Sequence, residues 1–352
     1  MQLSNSNSDN YIIASFQQIV SYTDSNPFNK GKRNMVSYLK FSGTIIEKDA
    51  ENKFANFALS NDDFDISKLA HNLEIHFSSC VSSLDNFFGC DEEDEAYFDE
   101  NSKELFMVDF SHFDSSCLES TKKLFYTCPK LYSANFSNFK PTKVTDMSYM
   151  FYNCKGLQEL YLSGFDTSNV IDMSYMFYNC EYLNTLDLLS FDTSNVIDMS
   201  YMFYNFQHLH KLNLSSFDTS KVIDMSYMFY NFWFYEFNIL DLSGFDTSKV
   251  TNMKGMFEGI QYLRILNLSN FDISKVDTIS KMLYHLEYID FLDLTGFNFE
   301  NFEDDQINEF FNQELSLIFL NIKDIKSKDA FIDLINNLEE KHICIYVLMM
   351  QI

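Results

Sequence analysis

The chain has 352 residues, 46% of them hydrophobic, with 38 Phe and 21 Tyr against a single Trp. Its formal charge of −26 excludes nucleic-acid phosphates and anionic membranes as natural partners and favours basic partners or bound cations. No apolar run approaches the ~18 residues of a membrane-spanning helix, and MQLSNSNSDNYIIASFQQIV has no basic segment leading into an apolar one, so neither membrane insertion nor an ordinary signal peptide is expected.

Residues 1–60 read as a tail and a cap. The Ser/Asn-rich first ten are expected to be disordered. The apolar runs YIIASF and MVSYLKFSGTII could close the first rung of an array, and the basic group Lys30, Lys32, Arg33 reads as a solvated turn. Residues 61–109 hold degenerate copies of a later motif, FDISKL at Phe64–Leu69 and LDNFFGC at Leu84–Cys90. The acidic insert Asp91–Glu100 follows; its clustered charges suit a solvated loop, with cation binding as the lesser alternative.

Residues 110–296 are a regular array. MSYMFYN occurs unchanged at Met147–Asn153, Met173–Asn179, Met199–Asn205 and Met225–Asn231, and weaker copies follow at Met253–Gly259 and Ile279–His285. The steps are 26, 26, 26, 28 and 26 residues; the two extra residues fall in NFWFYEFNIL, which holds Trp233. A fixed period of this size marks a solenoid. Each unit opens with LxL, as in Leu186-Asp187-Leu188, whose alternation predicts a short strand with one face buried. A Phe follows (Phe165, Phe191, Phe217, Phe245, Phe271, Phe297), and stacking these would give an aromatic spine. The Asp of each DTS (Asp166, Asp192, Asp218, Asp246, and Asp272 in FDIS) can close a corner on its own downstream backbone. Asp146, Asp172, Asp198 and Asp224 each precede a Met and suit the N-cap of a short helix. In such a helix Met173, Met176 and Phe177 point inward, leaving Tyr175 and Tyr178 outside. Cys128, Cys154 and Cys180 share a position that later units fill with Phe206, Phe232, Ile260 and Leu286. They therefore read as buried apolar filler.

Residues 297–352 keep the register to Leu320 but change character: helices are expected at 304–312 and 327–341 and a buried last strand at 342–350, together forming helical capping repeats. The fold expected is therefore α/β, a solenoid of about ten rungs with one parallel β-sheet and short helices on the opposite wall.

The sequence carries no catalytic constellation. Its seven His occupy no repeat column, His208 and His210 lack a third ligand, and there is no GxGxxG, GKS/T or GxSxG. No enzyme activity, cofactor or metal site is expected. The stacked Asp columns read as turn closure, with divalent cations as the weaker alternative. A protein ligand is expected on the exposed sheet face, at the outward strand residues Glu159, Tyr161, Asp187, Asn213, Ile239, Asp241, Ile265, Asn267, Phe291 and Asp293, which vary where the inward Leu do not. The rival surface is the near-identical Tyr wall (Tyr149, Tyr152, Tyr175, Tyr178, Tyr201, Tyr204, Tyr227, Tyr230).

The unit LxLxxFDTSxVxxMxxMFxxC, carried by Leu186-Asp187-Leu188, Phe191-Asp192-Thr193-Ser194, Val196, Met199 and Met202-Phe203, resembles the leucine-rich repeat of BspA-like surface proteins, a mycoplasmal domain of unknown function, over Phe110–Gly296. The resemblance implies a leucine-rich-repeat solenoid without catalytic residues that mediates adhesion or protein binding at the cell surface or after secretion. No signal peptide, lipobox Cys or wall-sorting tail is visible, so a cytoplasmic interaction scaffold is the alternative.

Overall fold

A computed structural model describes residues 11–16, 36–41, 44–47, 71–77, 81–89, 105–233, 239–300, 302–310, 317, 319–322 and 344–347. Four strands precede the array: β1 (Tyr11–Phe16), β2 (Val36–Phe41), β3 (Thr44–Glu47) and β4 (His71–Phe77). Then come the rung strands β5 (Leu105–Asp109), β6 (Ser133–Asn135), β7 (Glu159–Tyr161), β8 (Thr185–Leu186), β9 (Lys211–Leu212), β10 (Ile239–Leu240), β11 (Ile265–Asn267) and β12 (Phe291–Asp293). The helix α1 (Asp304–Phe310) and strands β13 (Phe319–Ile322) and β14 (Cys344–Val347) follow.

From β5 onward the paired strands run parallel, as the one-directional coil of a solenoid requires. The edge of β5 is covered by β1, the YIIASF segment, which pairs with it antiparallel. The strand wall is not one sheet. It divides into β3-β2-β4-β1-β5-β6-β7, β8-β9 and β10-β11-β12-β13-β14.

The opposite wall corrects the sequence reading more deeply: the MSYMFYN segments are not helices. An α-helix sends successive amides four residues back along its own chain. Here every second amide leaves the rung: Met147, Tyr149, Phe151 and Asn153 donate to the carbonyls of Asp172, Ser174, Met176 and Tyr178, at 3.0, 3.0, 2.9 and 2.7 Å. The amides between them, Met150, Tyr152 and Cys154, donate three residues back, at 3.3, 3.1 and 3.2 Å. Each rung is thus a run of tight turns bonded to the next rung. Tyr149 and Asn153 both have φ of 59°, at the third position of turns that need a left-handed residue there. Gly255 and Gly259 fill the same two columns two rungs beyond Tyr201 and Asn205, with φ of 57° and 71°. Stacked turns bury nearly the same positions as a helix, which is why Met173, Met176 and Phe177 are fully buried as expected. Eight turns share this wall, marked by the bridge column Ser83, Ser120, Asp146, Asp172, Asp198, Asp224, Asn252 and Thr278. The architecture is therefore a β-solenoid of about eight turns, fewer than the ten expected. Among the described residues α1 is its one α-helix.

The helix α1 takes the place of a further turn. Lys281 and Leu283 donate to the carbonyls of Glu309 and Phe310 at 3.1 Å each, the bonds that the next rung would otherwise accept. Asp304 and Asp305 in its first turn suit the positive end of the helix dipole, and Ile307 and Phe310 close the core.

Between the walls runs the core. Phe125, Phe151, Phe177, Phe203, Phe229 and Phe257 stack in sequence with ring centroids 5.4, 5.7, 6.1, 5.6 and 5.7 Å apart. Part of the anticipated spine is present beside them, Phe139–Phe165–Phe191 at 5.3 and 5.8 Å. Cys128, Cys154 and Cys180 are free and buried, and burial pushes the Cys154 thiol up to about 12. Cys117 is disulfide-bonded, which its spacing did not reveal. The 28-residue step interrupts pairing between β9 and β10, yet the other walls keep register through the bridges Asp224–Asn252 and Trp233–Gln261. The expectations for residues 1–10, Lys30, Lys32, Arg33, 64–69, 91–100 and 327–341 lie outside the described residues.

Candidate interaction surface

Parallel register brings the outward strand residues into two rows. The first runs from the buried Ser133 to Glu159 and, after the sheet breaks, Thr185–Lys211 and then Ile239–Ile265–Phe291–Phe319. Its C-terminal part is an apolar strip, with Ile239 53% and Phe319 40% exposed, Ile265 exposed and Phe291 half-buried. The second row is Tyr161, Asp187, Asn213, Asp241, Asn267 and Asp293. Tyr161 is exposed and its hydroxyl lies 3.5 Å from Glu159 Oε2. The other five have a local task. Their Oδ1 atoms accept the amides of Leu189, Ser215, Ser243, Ser269 and Thr295, at 3.1, 3.0, 3.0, 2.9 and 3.0 Å. Asp and Asn alternate there because both close this corner. The variation that suggested freedom to encode a partner is a constraint at those five positions and persists at Glu159, Tyr161, Ile239, Ile265 and Phe291.

The Tyr wall forms two ladders. Tyr149–Tyr175–Tyr201–Tyr227 have centroids 4.5, 4.4 and 4.8 Å apart, and Tyr126–Tyr152–Tyr178–Tyr204–Tyr230 are spaced 4.8, 4.5, 4.3 and 4.4 Å. The rings stack face to face, so their faces are spent on one another. Burial, with neighbouring phenols, pushes the Tyr175 and Tyr204 hydroxyls well above their ordinary range. The first ladder ends where Gly255 leaves space that the Tyr227 ring enters: a Cβ there would lie 2.4 Å from Tyr227 Cε1.

Three further arrays were not anticipated. In the first, the buried Thr167, Thr193, Thr219 and Thr247 clip consecutive rungs. Thr193 Oγ1 accepts the Asp218 amide at 2.8 Å and donates to the Asp218 carbonyl at 2.9 Å, and the other three repeat the pair. In the second, Asn179 donates to Asn153, Asn205 to Asn179 and Asn231 to Asn205, at 2.6, 2.5 and 2.6 Å. The third is a ridge of Ile171, Ile197 and Ile223, each between 41% and 45% exposed. The repeated TS and N of the motif carried a signal for the first two; a strict reading of the column before each Asp would have found the third.

Both Asp columns close turns. Asp172, Asp198 and Asp224 accept the amides of Ser174, Ser200 and Ser226 at 2.8 Å each, so they cap turns and not helices. Asp166, Asp192, Asp218, Asp246 and Asp272 do the same for the Ser two residues on. Hydrogen bonds from Ser220 and Ser274 hold Asp218 and Asp272 below the usual carboxylate range, whereas burial pushes Asp198 above it. His208 stacks on Tyr182 at 4.9 Å. Among the described residues no group of three or more His, Cys, Asp and Glu could hold a metal ion, and none of their helices is long and apolar enough to cross a membrane.

Turn stacks, ladders and a parallel strand wall define a repeat β-solenoid whose Thr, Asn and Tyr columns join rung to rung. The family described as "Mycoplasma protein of unknown function, DUF285" matches twice, over residues 119–233 and 205–318. The chain belongs to that family, the BspA-like repeat type whose 26-residue unit is read above. No curated protein and no solved structure matches it.

Proposed function

We propose that the protein is a non-enzymatic binding solenoid, surface-associated and engaged in adhesion or partner recognition, with a protein ligand on the C-terminal half of the strand wall. The observation that carries this reading is the strip Ile239–Ile265–Phe291–Phe319, which keeps apolar side chains in water on four consecutive strands while Asp241 beside it stays anionic, held low by hydrogen bonds from Ser243. An apolar anchor with a charged rim is the usual anatomy of a protein interface. The stacked Tyr faces make the Tyr wall the poorer candidate.

The test is cross-linking capture from the native environment with three proteins: the wild type, Ile239→Ser/Ile265→Ser/Phe319→Ser, and Tyr152→Ser/Tyr178→Ser/Tyr204→Ser. Loss of one defined partner only in the first variant is expected. Loss only in the Tyr variant, with both variants folded, would move the site to the Tyr wall. Protease accessibility on intact cells separates a surface protein from an intracellular scaffold.

A further inference from the structure

The ridge Ile171–Ile197–Ile223 lies on a different wall from the strip. Its residues are joined rung to rung, Ile197 N donating to Ile171 O and Ile223 N to Ile197 O at 2.8 Å each. Such an extended backbone suits β-branched residues, and Thr145 and Thr251 occupy the column on either side. Thr would satisfy the backbone, so conformation alone does not explain three exposed Ile.

Directly after each Ile comes a carboxylate. At the two ends of that column the carboxylate is already satisfied: Lys122 Nζ lies 3.1 Å from Asp146 Oδ2, and Asn252 Nδ2 donates to Asp224 Oδ2 at 2.9 Å. Between them, Asp172 and Asp198 stand one rung apart, each accepting the amide of the Ser two residues on; Lys122 acts on Asp172 from a distance, and neither carboxylate has an ion pair among the described residues. Like charges so placed repel and call for a cation. Lys122 shows what that cation looks like: an ammonium group resting on a column carboxylate at the foot of the Tyr149 ladder.

We propose that this wall is a second docking surface, and that its occupant is a basic protein segment whose Lys or Arg side chains pair with Asp172 and Asp198 while an apolar side chain covers the Ile ridge. Charge selects this occupant over a second copy, because two chains of −26 repel.

The chain itself supplies well-behaved variants. Asp172→Asn/Asp198→Asn copies Asn252, and Ile171→Thr/Ile197→Thr/Ile223→Thr copies Thr145 and Thr251, so both should keep the fold. The probe is a blocked peptide of alternating Lys and Leu, read by fluorescence anisotropy against a Lys/Ser peptide of equal charge. The full-length wild type should prefer Lys/Leu. Each variant should weaken that binding about tenfold, while Glu287→Gln/Glu300→Gln, which removes the same charge at two exposed positions elsewhere, should leave it unchanged. Absence of Lys/Leu binding, equal affinity for both peptides, or equal affinity across all variants would each overturn the proposal. So would a wild-type dimer in sedimentation that the Ile→Thr variant dissolves, since the occupant would then be a second copy.

Discussion

Between Met147 and Asn231 the units are nearly identical; from Ile265 to Ile322 they are not, and the two regions hold their rungs together differently. In the first, strands β8 and β9 are two residues long and stand apart from the sheets on either side. Side chains bind the rungs there: buried Thr clips, the Asn ladder and two Tyr ladders. In the second, the clips stop at Thr247, where Ile273 takes the next place in the column, and strands of three to four residues pair continuously through β11, β12 and β13. Ladders need the same residue in neighbouring rungs, whereas backbone pairing accepts any. Repetition of sequence and extent of strand pairing are alternative means of cohesion in this molecule.

If the apolar core is common to both regions, Phe217→Ala and Phe271→Ala should each lose about 3–5 kcal/mol in chemical denaturation, because both rings are buried. Tyr201→Ala, at a half-buried ring, should lose clearly less. The ladders should then separate the regions. Thr193→Val removes the side-chain partner of both the Asp218 amide and its carbonyl at a part-buried site and should cost about 1–3 kcal/mol, while Thr193→Ser, which keeps the hydroxyl, should recover most of that in thermal melts.

Alkali offers a third probe. The folded-state values of Tyr149, Tyr175, Tyr201, Tyr204 and Tyr227 are raised above the ordinary 10.0, chiefly by burial, so the folded chain holds these protons longer than the unfolded chain. Stability is intact below pH 10 and falls as pH climbs towards the raised values. Hydrogen exchange followed against pH should show rungs 147–231 opening before 265–322; simultaneous opening would remove the distinction. The smallest effect concerns Asp198, whose value is raised by burial from 3.8. Asp198→Asn should stabilise by about 0.5 kcal/mol above that raised value, modest because water still reaches the group. The gain should vanish as pH falls below 3.8.

The period, the inward Leu, Met and Phe, and the parallel strands were legible because burial imposes a strict column on each. The helices were misread for a physical reason. Met, Met and Phe spaced three and four apart fit a helical stripe, but stacked type II-like turns bury the same spacing. Only the left-handed columns distinguish them, where Tyr175 and Asn179 give way to Gly255 and Gly259. The sheet break before β8 left no mark in single units, whereas the break before β10 falls at the two-residue insertion already visible in the period. Of the proposed contact residues, the apolar ones could be placed on the surface from alternation alone. The corner duty of Asp187 or Asp241 could not, because an outward Asp looks the same whether it waits for a partner or closes its own turn.

The Thr clip has a consequence for how such a chain can change over generations. Each clip reaches forward by one unit and meets the same backbone groups there, so removing residues 173–198 would join Asp172 to Met199 and leave each array continuous across the junction. Unequal recombination between the identical segments would therefore yield shorter or longer proteins that fold at once, without compensating changes. Among the four identical segments and the unit after them, the one that contains Trp233, two residues longer than its neighbours, is where such a crossover would lose its footing.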